Sequence, residues 1–365
     1  MDFTFTIVAV GAGLLGAVAG SVGTFAVLRR QSLLGDSISH AALPGIVLAF
    51  ILGAGRNPLW LLIGAAAAGW IGTIFIMGII RRTRIDTSGA QGVVLSVFFG
   101  LGLLLLTYVQ KWPDASQSGL DKYLFGQAAA LLPQDLIIMA CGGTLTLVLL
   151  MIFWKEIKLL TFDRSFGESL GFPAKKIDLL ITALIVLSIV IGLQTVGVIL
   201  MSSLLVAPAA AARQWTEKLG IMVFLSGVFG AAAGIAGSIV SSSIPNIPTG
   251  PAIVMVMTIM VAFSLLFAPS RGLLIQLLRT HQNRFHYSLQ SILLDLYQLQ
   301  QTHGEELHFH DLNTLQLMRS RKSSVLSGLQ ILSTRGLVET GGGGQWKLTP
   351  KGIQEATKFG ETYEL

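Results

Sequence analysis

The stretch GDSISHAALPG, residues 35–45, lies inside an apolar segment running from Leu33 to about Leu52, and the rest of the chain is read outward from it. Asp36 and His40 are four residues apart, which on a helix stacks them on one face, a turn apart. His40 is the only histidine before residue 281, and Asp36 reads as the only carboxylate within an apolar span rather than at its edge. An ionisable side chain at bilayer depth is costly unless it meets a cavity or a partner, so the pair forms a candidate ion site. Pro44 cannot donate to the carbonyl of His40 and pushes it aside, so a bend and a free backbone oxygen are expected there. Carboxylate, imidazole and carbonyl suit a divalent transition metal such as Mn, Zn or Fe(II). The alternative is that Asp36 and His40 pair with each other, or with a neighbouring helix, as structural glue.

Composition points the same way. Hydrophobic residues make up 52% of the 365 and charged residues 12%, with a mean hydropathy of +0.70, which excludes an ordinary soluble domain. The single cysteine, Cys141, leaves no disulfide and no cysteine metal cluster. The opening MDFTF has an acid and no basic region, so the first apolar segment reads as a retained membrane helix. Residues 1–280 carry 17 Lys and Arg against 11 Asp and Glu, whereas residues 281–365 carry eight of each. The basic excess therefore belongs to the membrane part, where it reports topology.

Segments of spanning length occur at roughly 6–28, 33–52, 58–80, 88–109, 133–154, 177–194, 196–212, 219–240 and 250–269. The sixth and seventh form one run containing Gly192, Gly197 and Pro208, either two short spans meeting at a tight turn or a discontinuous helix lining a cavity. The expected fold is thus an all-α polytopic membrane protein with about nine transmembrane helices. Nine spans gather Arg29, Arg30, Arg81, Arg82, Lys155, Lys158, Arg164, Lys175, Lys176 and the tail on one side, placing the N-terminus outside and the tail in the cytoplasm. Gly16 and Gly20, then Gly230 and Gly234, have the four-residue spacing of close helix contacts, either at a subunit interface or within one bundle. The loop KEIKLLTFDRSFGESLGFPAKK, residues 155–176, holds a short helix that Asp163 can cap and that ends at Gly171. It is either a surface gripped by a motor subunit or a connector resting on lipid headgroups. KWPDASQSGLDKYLFGQ, residues 111–127, and SSSIPNIPTG, residues 241–250, form the opposite surface, where a soluble donor would dock.

Three stretches resemble one family in the same order along the chain. GDSISHAALPGIVLAFILG resembles the signature of the ABC-3 family of bacterial metal permeases. DTSGAQGVVLSVFFGLGLLLL, from Asp86, is similar to its fourth-helix pattern, and LQTVGVILMSSLLVAPAAAAR, from Leu193, to its late-helix motif. The resemblance covers about residues 1–280. It implies a non-enzymatic permease subunit of the bacterial inner membrane that pairs with a second permease, identical or not, within the membrane lipid. Such a subunit takes Mn, Zn or Fe from an extracytoplasmic metal-binding protein and is driven by a separate ATPase subunit. The metal is cargo and no tightly bound cofactor is expected; the chain carries no G-x-x-x-x-G-K-[ST] loop of its own. By position, Asp36 and His40 match the metal-contacting pair, and Asp163, Arg164, Phe166, Gly167 and Gly171 match the coupling helix that seats in the ATPase. Ser39, Gln194, Ser202 and Ser203 are candidates for polar lining, although buried Ser and Gln also bond neighbouring helices.

After Arg271 the pattern changes to amphipathic helices, and residues 281–365 read as a second domain. Leu289, Ile292, Leu293, Leu296 and Leu299 follow helical spacing, a short helix holds Leu312, Leu315 and Met318, and Ser323 or Ser324 opens a third that stops at Gly336. LVET and QWKL flank GGGG as a hairpin, and Thr349 and Pro350 open a last helix. These elements compose a winged helix-turn-helix, and RSRKSSVLSGLQILSTRGLVET with QWKLTPKG is similar to the DNA-binding domain of DtxR-type repressors. DNA contact would fall on Arg319, Arg321, Lys322, Ser323 and Ser324, yet the domain is net neutral, which argues against DNA as a settled partner. Five of the six histidines lie in this tail, including His303, His308 and His310, as a metal-responsive cluster or as scattered solvated side chains. The tail reads as a regulatory or interaction module; the alternative for the whole chain is a membrane-tethered metal sensor and transcription regulator.

Overall fold

A computed structural model describes residues 3–54, 58–111, 131, 133–244, 247–269, 271–302, 309–317, 323–341 and 344–362. The chain divides into two compact units, Met1–Leu273 and Leu274–Leu365.

The first unit is helical. In chain order it contains α1 (Phe3–Leu28), α2 (Leu34–Ala49), α3 (Pro58–Arg82), α4 (Thr87–Val109), α5 (Pro133–Ile152), α6 (Trp154–Phe162), α7 (Arg164–Ser169), α8 (Ala174–Val196), α9 (Val198–Trp215), α10 (Leu219–Ser243) and α11 (Thr249–Phe267). Eight helices among the described residues are long and apolar enough to cross a membrane, and they coincide with eight of the nine expected segments. The segment expected as the seventh span is the helix α9, which stands beside the eight as a further apolar helix. It is an 18-residue helix with Pro208 inside and Arg213 in its last turn, and it packs against α1, α2, α8, α10 and α11. Enclosed by protein on most sides, α9 has little lipid to face and tolerates alanine and serine where an outer helix needs larger apolar groups. α3, α4, α10 and α11 supply such groups, exposing Ile74, Phe75, Leu104, Phe224 and Ile259.

The long run across residues 177–212 is broken at a single residue. Gly197, with φ +86° and ψ 165°, separates α8 from α9, a backbone state that a side chain would strain. Pro44 does not break α2, which continues to Ala49 and then loosens into a π-helical turn, Phe50–Ala54. The glycine stripes of α1 and α10 meet each other: a Cβ built on Gly16 would overlap the Gly230 carbonyl, and one on Gly234 would overlap the Ala12 carbonyl. Ser226 Oγ donates to the Gly20 carbonyl at 2.6 Å along the same seam. Of the two uses open to these glycines, the close contact is made within one bundle.

The second unit contains α12 (Leu273–Thr302), β1 (His310–Asp311), α13 (Leu312–Leu317), α14 (Ser323–Thr334), β2 (Val338–Thr340), β3 (Gln345–Leu348) and α15 (Pro350–Thr362). The strands form an antiparallel sheet in the order β1-β3-β2, pairing His310 with Trp346 and Val338 with Leu348. Its core gathers Leu289, Ile292 and Leu296 of α12 with Val325 and Leu329 of α14 and Trp346 of β3. Thr349 caps α15, accepting from Gly352 N–H at 3.0 Å while donating to the Gly336 carbonyl at 2.8 Å. Met318, His303 and His308 lie outside the described residues.

Candidate functional site

α2 holds the two candidate ligands as its period requires. His40 Nε2 stands 3.4 Å from Asp36 Oδ1, and the imidazole is 12% exposed against 34% for the carboxylate. The His40 ring and that of Phe99 on α4 meet edge to face, with centroids 4.5 Å apart at 71°. Two atoms 3.4 Å apart subtend about 108° at an ion ~2.1 Å from each, close to the tetrahedral angle that zinc favours. The pair is therefore spaced to share one ion. Among the described residues no group of three or more His, Cys, Asp or Glu comes together, so none of them adds a third such ligand to the pair.

Asp36 also lines a cavity of about 550 Å³ between α2, α9 and α11. Ser202 and Ser203 of α9 and Thr258 of α11 share the lining, with Val206 and Met257 among its apolar walls. Three candidates separated by some 170 positions in sequence are thus brought to one space, and Thr258 joins them. His40 is not among the lining residues and stands a turn along α2, behind the carboxylate. Ser39 is buried and donates to the Gly35 carbonyl of its own helix at 2.7 Å, so its hydroxyl is occupied away from the cavity. Ser37 likewise donates to Leu33 and, at 3.1 Å, to the Gln91 carbonyl of α4. Gln194 lies near the end of α8, and its side chain is outside the described residues.

The loop candidates form a capped turn. Asp163 ends α6 and caps α7, accepting from Phe166 N–H and from Ser165 Oγ at 2.9 Å each. Those two bonds, the backbone one foremost, hold its carboxyl below the ordinary carboxylate range. Gly167 packs against Leu160, whereas Phe166 and Leu170 stand exposed as apolar knobs. Gly171 follows α7 with φ +84°. Arg164 donates to Glu168 at 3.0 Å and to Asp178 at 2.9 Å, and both, the Glu168 bond first, push its guanidinium still higher. Asp178 in turn takes Arg29 Nη1 at 2.8 Å, tying the loop to the end of α1.

In the second unit, Arg319, Arg321 and Lys322 lie outside the described residues, and Ser323 and Ser324 open α14 with side chains outside them as well. Phe99, Thr258, Asp178 and Arg29 escaped the sequence reading of this site. Asp178 carried a usable signal, since it follows Lys175 and Lys176 by less than a helical turn at the start of an apolar run.

Residues 1–268 match the family model described as the ABC 3 transport family. The zinc transport system membrane protein TroC of Treponema pallidum is 49% identical over 278 residues, covering 76% of this chain and 93% of the relative. The manganese transport system membrane protein MntC of Bacillus subtilis is 41% identical over 345 residues, covering 94% of this chain and 79% of the relative, so that likeness runs into the second unit. The solved structure of PsaBC from Streptococcus pneumoniae in complex with Fab superposes with a TM-score of 0.67 at 33% identity, covering 74% of this chain and 94% of that one.

Proposed function

The chain belongs to the ABC 3 transport family, and from that premise we propose that it is the multi-pass permease subunit of a bacterial inner-membrane importer for zinc or manganese. The observation that carries the reading is the Asp36–His40 pair, ligand atoms 3.4 Å apart, beside a cavity walled by the hydroxyls of α9 and α11. The relatives named for zinc and manganese support those metals over iron, which the same ligand types also accept.

Two ligands from one chain hold an ion weakly, since these metals take four or more. A second permease subunit facing the first would bring a second carboxylate and imidazole, and opening of that interface would release the ion. The reading includes an extracytoplasmic metal-binding protein as donor and a separate ATPase subunit as motor. The capped loop from Asp163 to Gly171, with Phe166 and Leu170 exposed, is the surface we assign to the ATPase. Transport then needs no catalysis by this chain. We place the N-terminus outside and the tail in the cytoplasm, because Arg29, Arg81, Arg82, Lys155 and Lys175 gather at one end of the helices.

For residues 281–365 we propose a cytoplasmic winged-helix module with a regulatory or interaction role, supported by the β1-β3-β2 sheet and the helices α12 to α15 around one core. Its neutral charge favours protein contact over DNA. A membrane-tethered metal sensor is the less favoured reading, because both relatives are named as transport-system membrane proteins. The test is metal uptake by cells that depend on this permease. Asp36→Ala and His40→Ala are expected to abolish uptake while the complex still assembles; wild-type uptake by both variants would remove the basis of the proposal.

A further inference from the structure

A second cavity, of about 410 Å³, opens where α1 and α3 end and α4 and α8 begin. Four cationic side chains line it: Arg29 after α1, Arg81 in the last turn of α3, Arg164 from the loop helix and Lys175 at the start of α8. Asp178 is the single acid in the lining, and both of its oxygens are taken, one by Arg29 and one by Arg164. With Glu168, which takes Arg164 from outside the lining, four positive charges stand against two negative and leave two in excess.

Its donors outnumber its acceptors as well. Arg29 spends only Nη1 on Asp178, while Nε and Nη2 are buried with no hydrogen-bond partner among the described residues. Gln91, 1% exposed and in the same lining, has an amide Nε2 that is likewise buried and unpartnered. Buried donors, charged ones above all, are ordinarily paired, so a cavity that collects several unpaired ones lacks an acceptor. The missing group must be anionic, must offer several oxygens to guanidinium forks approaching from different helices, and must fit a space the size of a small polar headgroup.

We propose that this cavity binds a phosphate group, carried by an anionic phospholipid headgroup or free in solution. A phosphate offers oxygens on all sides, which suits two or more guanidiniums better than a planar carboxylate does. Arg29 and Arg81 stand at helix ends, the level at which basic pockets between membrane helices meet headgroups. Ile76, Met77 and Ile80 of α3 wall one side and would take the glycerol and upper acyl carbons of a lipid. The bound phosphate would compete with Asp178 for Arg29 and Arg164, and so bear on the link between α1 and the loop.

The full-length chain is tested beside the Arg81→Gln/Lys175→Gln double variant, both positions being exposed and outside the ion pairs to Asp178. One arm counts phosphatidylglycerol retained in native mass spectra after reconstitution in phosphatidylcholine nanodiscs with and without phosphatidylglycerol. The other follows thermal unfolding in detergent against inorganic phosphate, with chloride at matched ionic strength as control. Retention of phosphatidylglycerol by wild type, weakened tenfold or more in the double variant, identifies a lipid phosphate. Protection by inorganic phosphate alone, lost in the variant, identifies a free one. In either arm Asp178→Asn, which removes the internal competitor, is expected to tighten binding. Equal behaviour of wild type and double variant toward both probes, or equal protection by chloride, overturns the site.

Discussion

Asp36 and His40 are close enough to make a thermodynamic cycle informative. If both bind one ion, removing either breaks the same site, and removing the second adds little. Asp36→Asn keeps the side-chain shape but not the charge, and His40→Leu keeps an apolar contact with Phe99. Losing a group that merely orients a ligand costs 10–100-fold, so losing a ligand is expected to cost at least ~100-fold, or about 2.7 kcal/mol. Independent sites would multiply to ~10⁴-fold in the double variant, whereas ligands 3.4 Å apart on one ion should leave it near ~100-fold, a coupling of about 2.7 kcal/mol. The assay is the initial rate of radiolabelled manganese or zinc uptake at subsaturating metal, normalised to permease in the membrane, because that rate reports the lost interaction. Multiplicative losses would show that the two residues do not share an ion. A normal rate in His40→Leu would reduce the imidazole to a packing group.

Other consequences are open to measurement. Gly230→Val drives a branched side chain into the Gly16 carbonyl, so the helical unit should lose about 1–3 kcal/mol and fall in detergent-stable yield, while Gly78→Ala, with open space around it, should not. Asp163→Ala removes the acceptor of the Phe166 N–H, and faster amide exchange at Phe166 with weaker ATPase association should follow. Because the carboxyl of Asp163 is held below its ordinary value, its cap is fully present above the ordinary carboxylate range and is lost as pH falls through the depressed value; protection of the Phe166 amide, its exchange rate taken relative to the unstructured rate at the same pH, should be constant near neutrality and fall only in acid. Deleting residues 285–365 should leave metal uptake intact and remove its regulation, read as uptake in metal-starved against metal-replete cells; loss of uptake itself would make the tail part of the transport machinery.

The candidate pair could be read from sequence because four-residue spacing fixes two side chains on one helical face whatever surrounds the helix. What holds the pair could not, since Phe99 reaches His40 only through the packing of α4 on α2. The glycine spacing announced a close approach without naming the partner, and Gly16 finds Gly230 within the same chain. Ser202 and Ser203 were credible lining and do border the cavity beside Asp36; Ser39, with the same chemistry, bonds back to Gly35, a choice decided by which way α2 faces. The bridge from Arg29 through Asp178 to Arg164 stayed hidden, because a charge at the edge of an apolar run looks like a topology marker.

The α1–α10 seam also bears on how the protein is made. The serine that seals it, Ser226, lies 206 residues after its acceptor Gly20, and at about 5–20 residues per second that interval lasts roughly 10–40 s on the ribosome. For that time the first helix waits in the bilayer with its glycine groove unfilled. A chaperone or insertase that shields small-residue grooves would have its longest engagement with this segment, and premature pairing of two nascent first helices would be the chain's most accessible wrong turn.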